Sequence, residues 1–148
     1  MIEFKLNPDK SLIDWEHIAS LFDKVGWDDR DKDEIEKSFD HSSYRYFIFN
    51  DGVVVGFGRT VDDGRYYALI VDVIVDPDFQ GNGYGKKIVD ELTKEMMNYH
   101  FLTLTSAPGK HGFYKKIGWR KQSSAFIFPL TENQKTRHCE DEEDSEVQ

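Results

Sequence analysis

Hydrophobic positions along the chain follow two periods, and the switches between them predict the secondary structure. Strand-like runs, with apolar residues at alternate or consecutive positions, are predicted at 2–6, 44–49, 53–61, 66–75, 101–105 and 119–130. Helical spacing, in which apolar residues recur every three or four positions, is predicted over 12–22, 35–39, 86–99 and 111–117. The resulting order, β-α-α-β-β-β-α-β-α-β, predicts an α/β fold: a mixed sheet with helices on both faces.

Polar residues mark the ends of these elements. Ser11 is predicted to cap the first helix. Asn50-Asp51-Gly52 is a typical hairpin turn between two strands. The run from Tyr66 to Val75 contains one charged residue, Asp72, so it predicts a strand that is covered on both faces.

Composition places the chain among single-domain globular proteins. It has 148 residues, of which 39% are hydrophobic and 14% aromatic, and we predict one domain at 1–130. The net charge is −9, but six acids lie within 140–146; without them 19 basic residues face 22 acidic ones. This balance argues against a nucleic-acid surface. The acidic tail, 131–148, is predicted to be disordered.

The remaining composition bears on location. No apolar run approaches the roughly 20 residues that span a bilayer, and the N-terminal residues do not have the pattern of a signal peptide. The single cysteine, Cys139, excludes an internal disulfide and suits a reducing compartment. A cytoplasmic protein is therefore predicted. The histidines do not have the spacing of metal ligands, so no metal is predicted.

A glycine-rich loop at residues 80–86 joins the fourth strand run to a helix. Such a loop presents backbone N–H groups to a phosphate, and the helix dipole adds positive potential. The dinucleotide fingerprint fails because the sixth position from Gly81 is Lys86, and the Walker A motif fails because Gln80 replaces its first glycine and Lys87 its hydroxyl residue. The alternative, a turn without a ligand, leaves the cost of ordering three glycines unexplained.

Two motifs resemble those of one enzyme family. Gln80-x-x-Gly83-x-Gly85 resembles the acetyl-CoA pyrophosphate loop of the GNAT superfamily of N-acetyltransferases, and residues 112–119 are similar to its late helix-to-strand signature. The resemblance extends to about Leu130. It implies the GNAT acyl-CoA N-acyltransferase fold, with a central mixed sheet of roughly six to seven strands and about four helices. Residues 25–27 and 68–73 show a softer likeness to the arylalkylamine and serotonin-type branch.

The resemblance implies acetyl-CoA as co-substrate and assigns its binding residues. The pantetheine arm would pair with the backbone of Val73, Ile74 and Val75, with a backbone N–H near Ile74 polarising the thioester carbonyl; the alternative is a plain core strand. Backbone amides would hold the pyrophosphate at Gln80, Gly81, Asn82, Gly83, Tyr84, Gly85 and Lys86.

Two residues are predicted to act in the chemistry. Tyr114 matches the family tyrosine beside the CoA sulfur, where a phenol of pKa ~10 can protonate a thiolate whose acid has a pKa of ~8.5; the alternative is a core aromatic. Asp72 would orient the amine or relay its proton through water, unless it caps a backbone group or faces solvent. Leu69 stands near the place of a family glutamate base, and Ala107 replaces an asparagine that contacts the cofactor. The sequence therefore does not identify the general base.

The acceptor is predicted to meet the first two helices. Trp27 with the acids Asp28, Asp29, Asp31 and Asp33 would favour a cationic amine, or else Trp27 packs in the core and the acids form a solvated turn. His111 would contact the acceptor or lie on the surface. The predicted activity is acetyl transfer to a small primary amine by direct attack in a ternary complex, because no cysteine nucleophile stands in the body.

Two other functions compete with this one: a protein or peptide acetyltransferase, and a CoA-binding module without catalysis. The expected partner is a small-molecule amine, with no nucleic acid and no membrane, and a homodimer is possible.

Overall fold

The computed structural model of the protein describes residues 1–27 and 29–140, which form two compact units, Met1–Thr105 and the residues from Ser106 onward. The elements of the first unit are β1 Ile2–Leu6, α1 Trp15–Lys24, α2 Lys32–Asp40, β2 Arg45–Asn50, β3 Val53–Asp62, β4 Tyr67–Val75, α3 Tyr84–Glu95 and β5 Phe101–Leu104. Those of the second unit are α4 His111–Lys116 and α5 Glu132–Arg137.

One mixed sheet organises the first unit. Its strand order is β1-β2-β3-β4-β5, with antiparallel pairing up to β4 and a parallel pair between β4 and β5. The predicted α/β fold with a mixed sheet is therefore confirmed, although the described residues form five strands rather than six to seven. The predicted strand at 119–130 is wrong, since these residues form no ladder and Phe126, Phe128 and Leu130 are exposed. A run of apolar residues forms a strand only when its backbone pairs with another strand.

The core lies on both faces of this sheet. On one face α1 and α2 cover an aromatic cluster that includes Phe22, Phe39, Phe47 and Phe57. On the other face α3 packs buried aliphatic side chains, such as Ile88, against β3 and β4. Helices thus cover both faces, as predicted.

Strand β4 is not covered evenly. Ala68 and Ile70 are buried, but Tyr67 and Leu69, which alternate with them, are exposed. The prediction that both faces of this strand are covered is therefore wrong at its start. The cluster under α1 and α2 reaches Ile74 at the far end of β4 and leaves the near end open on that face.

Local polar contacts set the element ends. The carboxylate of Asp14 accepts a hydrogen bond from the backbone N–H of His17, at 3.2 Å, and caps α1. The predicted cap, Ser11, instead lies in a separate 3₁₀ turn, and the extended, buried Ile13 follows that turn. The hairpin prediction is confirmed, because Asp51 and Gly52 both have positive φ, 49° and 80°, as a tight hairpin turn requires.

The second unit holds two short helices. Helix α5 falls inside the predicted disordered tail, where the side chain of Thr131 caps it by accepting from the backbone N–H of Gln134. Disorder of the tail stays a prediction. The rest of the tail, 141–148, lies outside the described residues, and the domain limits of 1–130 remain a prediction. Within the described ranges, no helix is both long and apolar enough to cross a membrane.

Candidate active site

A β-bulge interrupts β4 at its predicted functional centre. Phe57 pairs with Ile74 and Arg59 pairs with Val71, so Asp72 and Val73 together oppose the single residue between Phe57 and Arg59. Asp72 has a φ of 54°, in the left-handed region, which a short polar residue tolerates better than a branched one. Bulges bend a strand and redirect its side chains. The following stretch, Val73 to Val75, therefore leaves the line of the earlier part of the strand.

The edge of β4 that faces β5 is open beyond the bulge. The β4–β5 pairing runs from Tyr67 with Phe101 to Ile70 with Leu104, and Val73 to Val75 have no paired residue in β5. The backbone of Ile74 faces β3, since its carbonyl lies beside Gly56. The carbonyl of Val75 accepts from the side-chain amide of Gln80 at 3.4 Å.

Because backbone groups alternate in direction along a strand, the N–H groups on the open edge are those of Val73 and Val75. The thioester carbonyl of acetyl-CoA is therefore expected to meet the N–H groups of Val73 and Val75, on either side of Ile74.

A short 3₁₀ turn, Pro77–Phe79, follows β4, and the glycine-rich loop comes after it and opens α3. Gly81 and Gly83 have positive φ values of 85° and 76°, and a Cβ at either position would meet no atom within 4 Å. These glycines are required by their backbone conformation rather than by crowding, and the space beside them is open. Gly83 is the N-cap of α3 without a side-chain cap, so the first N–H groups of this helix point out of its N-terminus. This geometry fits a pyrophosphate, as predicted for residues 80–86.

Asp72 lies buried between two arginines. Its residue is 8% exposed, and its Oδ2 accepts from Nε of Arg59 at 2.8 Å while Oδ1 accepts from Nη1 of Arg30 at 3.0 Å. It therefore neither faces solvent nor caps a backbone group, the two structural alternatives that the sequence left open. Both carboxylate oxygens therefore accept a charge-assisted hydrogen bond from an arginine.

The acceptor segment, residues 25–31 between α1 and α2, supplies one of these arginines; Asp28 within it lies outside the described residues. The guanidinium of Arg30 lies 5.6 Å from the ring centre of Trp27 and 4.9 Å from that of Phe22. Trp27 itself packs against the aromatic core. Arg30 thus occupies a cation–π position on the ring that was predicted to receive the amine.

The acidic residues around Arg30 are exposed to solvent. Asp29, Asp31 and Asp33 are exposed, and Asp31 also caps α2 through the backbone N–H groups of Asp33 and Glu34. Because Arg30 pairs with Asp72, its charge is partly balanced, and the exposed Asp29 and Asp31 add negative charge to the acceptor segment.

Tyr114 lies in the second unit, on α4. Its ring contacts those of Phe113 and Trp119, with centroids 5.0 and 6.4 Å away. Burial raises the pKa of the Tyr114 phenol above its usual value, so the hydroxyl stays protonated at neutral pH and can serve as an acid. His111 begins the same helix and is exposed. Acceptor contact by His111 remains a prediction.

Arg59 and Arg30 are the residues that sequence reasoning missed. Arg59 had a visible signal, since it is the one charge within the apolar run 53–61, and a buried charge needs a partner. Arg30 had none, because it stands among acids in a turn. Within residues 1–27 and 29–140, no group of three or more potential ligands could hold a metal ion.

Comparison with known proteins places the chain in a family. The sequence profile of the acetyltransferase (GNAT) family matches residues 12–119. The uncharacterised N-acetyltransferase ycf52 of Pyropia yezoensis is 33% identical over 129 residues, which are 81% of this chain and 74% of the relative. The ycf52 N-acetyltransferase of Porphyra purpurea is 34% identical over 110 residues, 70% of this chain. The match spans 63% of that relative, less than two thirds of its length.

Solved structures agree. A GNAT-family acetyltransferase from Streptococcus pneumoniae has a TM-score of 0.73 at 25% identity, covering 89% of this chain and 99% of that one. A probable acetyltransferase from Staphylococcus aureus shares the fold, with a TM-score of 0.75 at 19% identity over 88% of this chain and 100% of that one. The comparisons support the prediction of an N-acetyltransferase enzyme. The family predicted from two short motifs is confirmed, and the chain belongs to the acetyltransferase (GNAT) family.

Proposed function

We propose that the chain transfers the acetyl group of acetyl-CoA to a primary amine of a small molecule, by direct attack in a ternary complex. The observation that carries this proposal is the open edge of β4 at Val73 and Val75, which a short 3₁₀ turn at Pro77–Phe79 connects to the glycine-rich loop and the N-terminus of α3. An extended thioester arm ending in a pyrophosphate matches backbone donors along a strand followed by a helix N-terminus.

The residues divide the chemistry between them. Acetyl-CoA supplies an activated acetyl group as a thioester. The N–H groups of Val73 and Val75 are the donors available to its carbonyl, where negative charge develops during attack. Tyr114, whose raised pKa keeps it protonated, gives a proton to the departing thiolate. Water takes the proton of the amine, and Asp72, which pairs with Arg30 and Arg59, is not assigned as the base.

A cationic acceptor suits the charge of the acceptor segment. The exposed carboxylates of Asp29, Asp31 and Asp33 create negative potential that draws a protonated amine. Among the relatives, serotonin N-acetyltransferase 2 of rice is 25% identical over 113 residues, 72% of this chain and 57% of the relative. Its name supports a small aromatic amine as the acceptor.

A second candidate is acetylation of a protein or peptide. The observation in its favour is a relative named histone acetyltransferase TAP1 of Glycine max, 28% identical over 120 residues. A lysine side chain is also a cationic primary amine, so the acidic segment fits it as well. The two candidates separate on size, because a peptide acceptor gains affinity from flanking residues and a free amine does not.

The compartment is part of the proposal. Relatives from Arabidopsis thaliana and rice are named chloroplastic, which favours a plastid over the predicted cytoplasm. A homodimer remains a prediction.

The test measures thiol release from acetyl-CoA with serotonin, tryptamine, spermidine, glucosamine and lysine peptides. We expect turnover with one class of small amine. Turnover only with lysine peptides would favour the second candidate, and CoA binding without release on any amine would favour a non-catalytic module.

The loop is tested separately by calorimetry of CoA binding. Gly83→Ala forces a side chain into a φ of 76° at the pyrophosphate position, and we expect CoA affinity to fall about tenfold or more. Gly64→Ala is the matched control, because Gly64 has a φ of 82°, and a Cβ there also meets nothing within 4 Å. Equal CoA affinity in the two variants would remove the loop from cofactor binding.

A further inference from the structure

We propose that Asp72, Arg59 and Arg30 form an ionic lock that holds the acceptor segment against the bulge of β4, so that Asp72 is a positioning residue for the acceptor and not its base. The effect on catalysis rests on the proposed acetyl transfer. The lock itself is a property of the fold.

One carboxylate joins three parts of the first unit. Oδ2 of Asp72 binds Nε of Arg59 on β3, at 2.8 Å, and Oδ1 binds Nη1 of Arg30 in the acceptor segment, at 3.0 Å. Nη1 of Arg59 also lies 3.4 Å from the carbonyl of Ser38 and from the hydroxyl of Ser42, at the end of α2. The bulge is therefore tied to the acceptor segment through Arg30 and to the C-terminal end of α2 through Arg59.

The ion pair of Asp72 with Arg59 is shielded from solvent, whereas the pair of Asp72 with Arg30 is partly exposed. The side chain of Asp72 is 6% exposed and that of Arg59 13% exposed, while Arg30 retains 41%. Water and salt screen buried charges poorly, so removing one partner leaves a charge that is costly to bury. The two arginines differ in burial: Arg59 lies in the interior, whereas solvent reaches the side chain of Arg30.

Two aromatic rings beneath Arg30 orient its guanidinium toward Asp72. Its guanidinium lies over Phe22 and Trp27, and Trp27 packs on the core through Phe22. When Arg30 is held by Asp72, it fixes the plane of the acceptor segment and leaves Asp29 and Asp31 outside. Loss of the ion pair would free Arg30 and place a positive charge where the acids now draw a cationic amine.

The backbone at the bulge requires a short polar residue as well as a charge. Asp72 has a φ of 54°, which asparagine tolerates like aspartate. Asp72→Asn therefore removes the charge alone. Asp51→Asn is the matched control, because Asp51 has a φ of 49° in the exposed hairpin turn.

The first test is hydrogen–deuterium exchange of the peptide that covers residues 25–31. We expect exchange about tenfold faster in Arg30→Ala and in Asp72→Asn, with Arg30→Lys between these and the wild type. Arg65→Ala controls for loss of an exposed arginine that lies on a ring, that of Tyr66. Unchanged exchange in Arg30→Ala, which leaves the buried pair of Arg59 and Asp72 intact, would overturn the lock even if Asp72→Asn does not fold.

The second test separates positioning from base catalysis, with the best amine of the panel. We expect Arg30→Ala to raise KM for the amine about fivefold or more, with KM for acetyl-CoA unchanged, and Arg30→Lys to recover part of the loss. The double variant Arg30→Ala with Asp72→Asn should lose less kcat/KM for the amine, expressed as free energy, than the sum of the two single losses. A fall in kcat for Asp72→Asn alone, with an acid limb missing from its pH profile, would make Asp72 the base instead. Exchange results stand even if no amine reacts, so failure of the lock and of the proposed activity are distinguishable.

Discussion

Position 72 shows how one residue can satisfy a backbone demand and an electrostatic demand together. The bulge needs a left-handed backbone conformation, and the two arginines need a buried anion. Aspartate meets both demands, whereas glutamate is poorly suited to the backbone and asparagine carries no charge. The sequence marks Asp72 as unusual because it is the one charge in an apolar run. It cannot show that both oxygens are already bound, because the partners lie 13 and 42 residues away.

Tyr114 carries the clearest residue-scale prediction. We expect Tyr114→Phe to lower kcat about a hundredfold, since proton transfer to the leaving thiolate is lost, and to leave KM for acetyl-CoA unchanged. Steady-state kinetics measures both constants. An unchanged kcat would remove Tyr114 from the mechanism.

The pH dependence of this effect follows from the direction of the shift. Burial raises the pKa of the Tyr114 phenol above its usual value, so its proton is retained from pH 6 to pH 9, a range below its usual pKa of about 10. The ratio of wild-type to Tyr114→Phe turnover should therefore stay constant over this range. A ratio that falls steadily above pH 7 would show a phenol that ionises early.

At the scale of elements, the period of the hydrophobic residues predicts the existence and type of a helix or strand better than it predicts where that element begins and ends. Each helix and strand predicted before residue 118 is present, because its apolar side chains have a sheet or helix face to cover. Caps depend on single side-chain contacts that periodicity does not encode, so Asp14 rather than Ser11 begins α1. The predicted strand at 119–130 failed for another reason: its apolar residues at 125–128 form a consecutive run, but pairing is decided by where the rest of the chain lies.

The cap of α1 gives a direct stability test. We expect Asp14→Ala to lower the free energy of unfolding by about 1 kcal/mol, because the N–H of His17 loses its acceptor. Ser11→Ala is the control and should change it by less than about 0.5 kcal/mol. Urea denaturation measures both values. A larger loss for Ser11→Ala would restore the cap that the sequence predicted.

The packing of α3 on β3 depends on a missing side chain. A Cβ at Gly58 would lie 2.6 Å from Cγ2 of Ile88 and 3.3 Å from Cδ1 of Leu92. We expect Gly58→Ala to destabilise the protein by about 1–3 kcal/mol, because the buried helix must shift. Gly112→Ala, where a Cβ meets nothing within 4 Å, should be neutral or stabilising by up to about 1 kcal/mol. Thermal unfolding measures the stability of both variants. Equal stability would mean that α3 can shift to accommodate the added methyl group without destabilising the protein.

At the scale of the whole molecule, the predicted roles are spread over both compact units. The first unit contains the open β4 edge, the glycine-rich loop and the acceptor segment, and the second contains Tyr114 and Cys139. Cofactor binding and acceptor positioning are therefore assigned to the first unit, and proton donation to the second. A covalent acetyl-enzyme would need a nucleophile, and the sequence has one cysteine, Cys139, which follows α5.

This arrangement predicts the kinetic mechanism. We expect initial rates measured against both substrates to give intersecting lines in double-reciprocal plots, because both substrates must be bound before reaction. Cys139→Ser should leave kcat and both KM values within about twofold of the wild type, since direct attack gives this thiol no part in the reaction. Parallel lines together with an inactive Cys139→Ser would instead show an acetyl-enzyme on this thiol. Parallel lines with an active Cys139→Ser would place the nucleophile elsewhere, and direct attack would then be wrong although the family assignment stands.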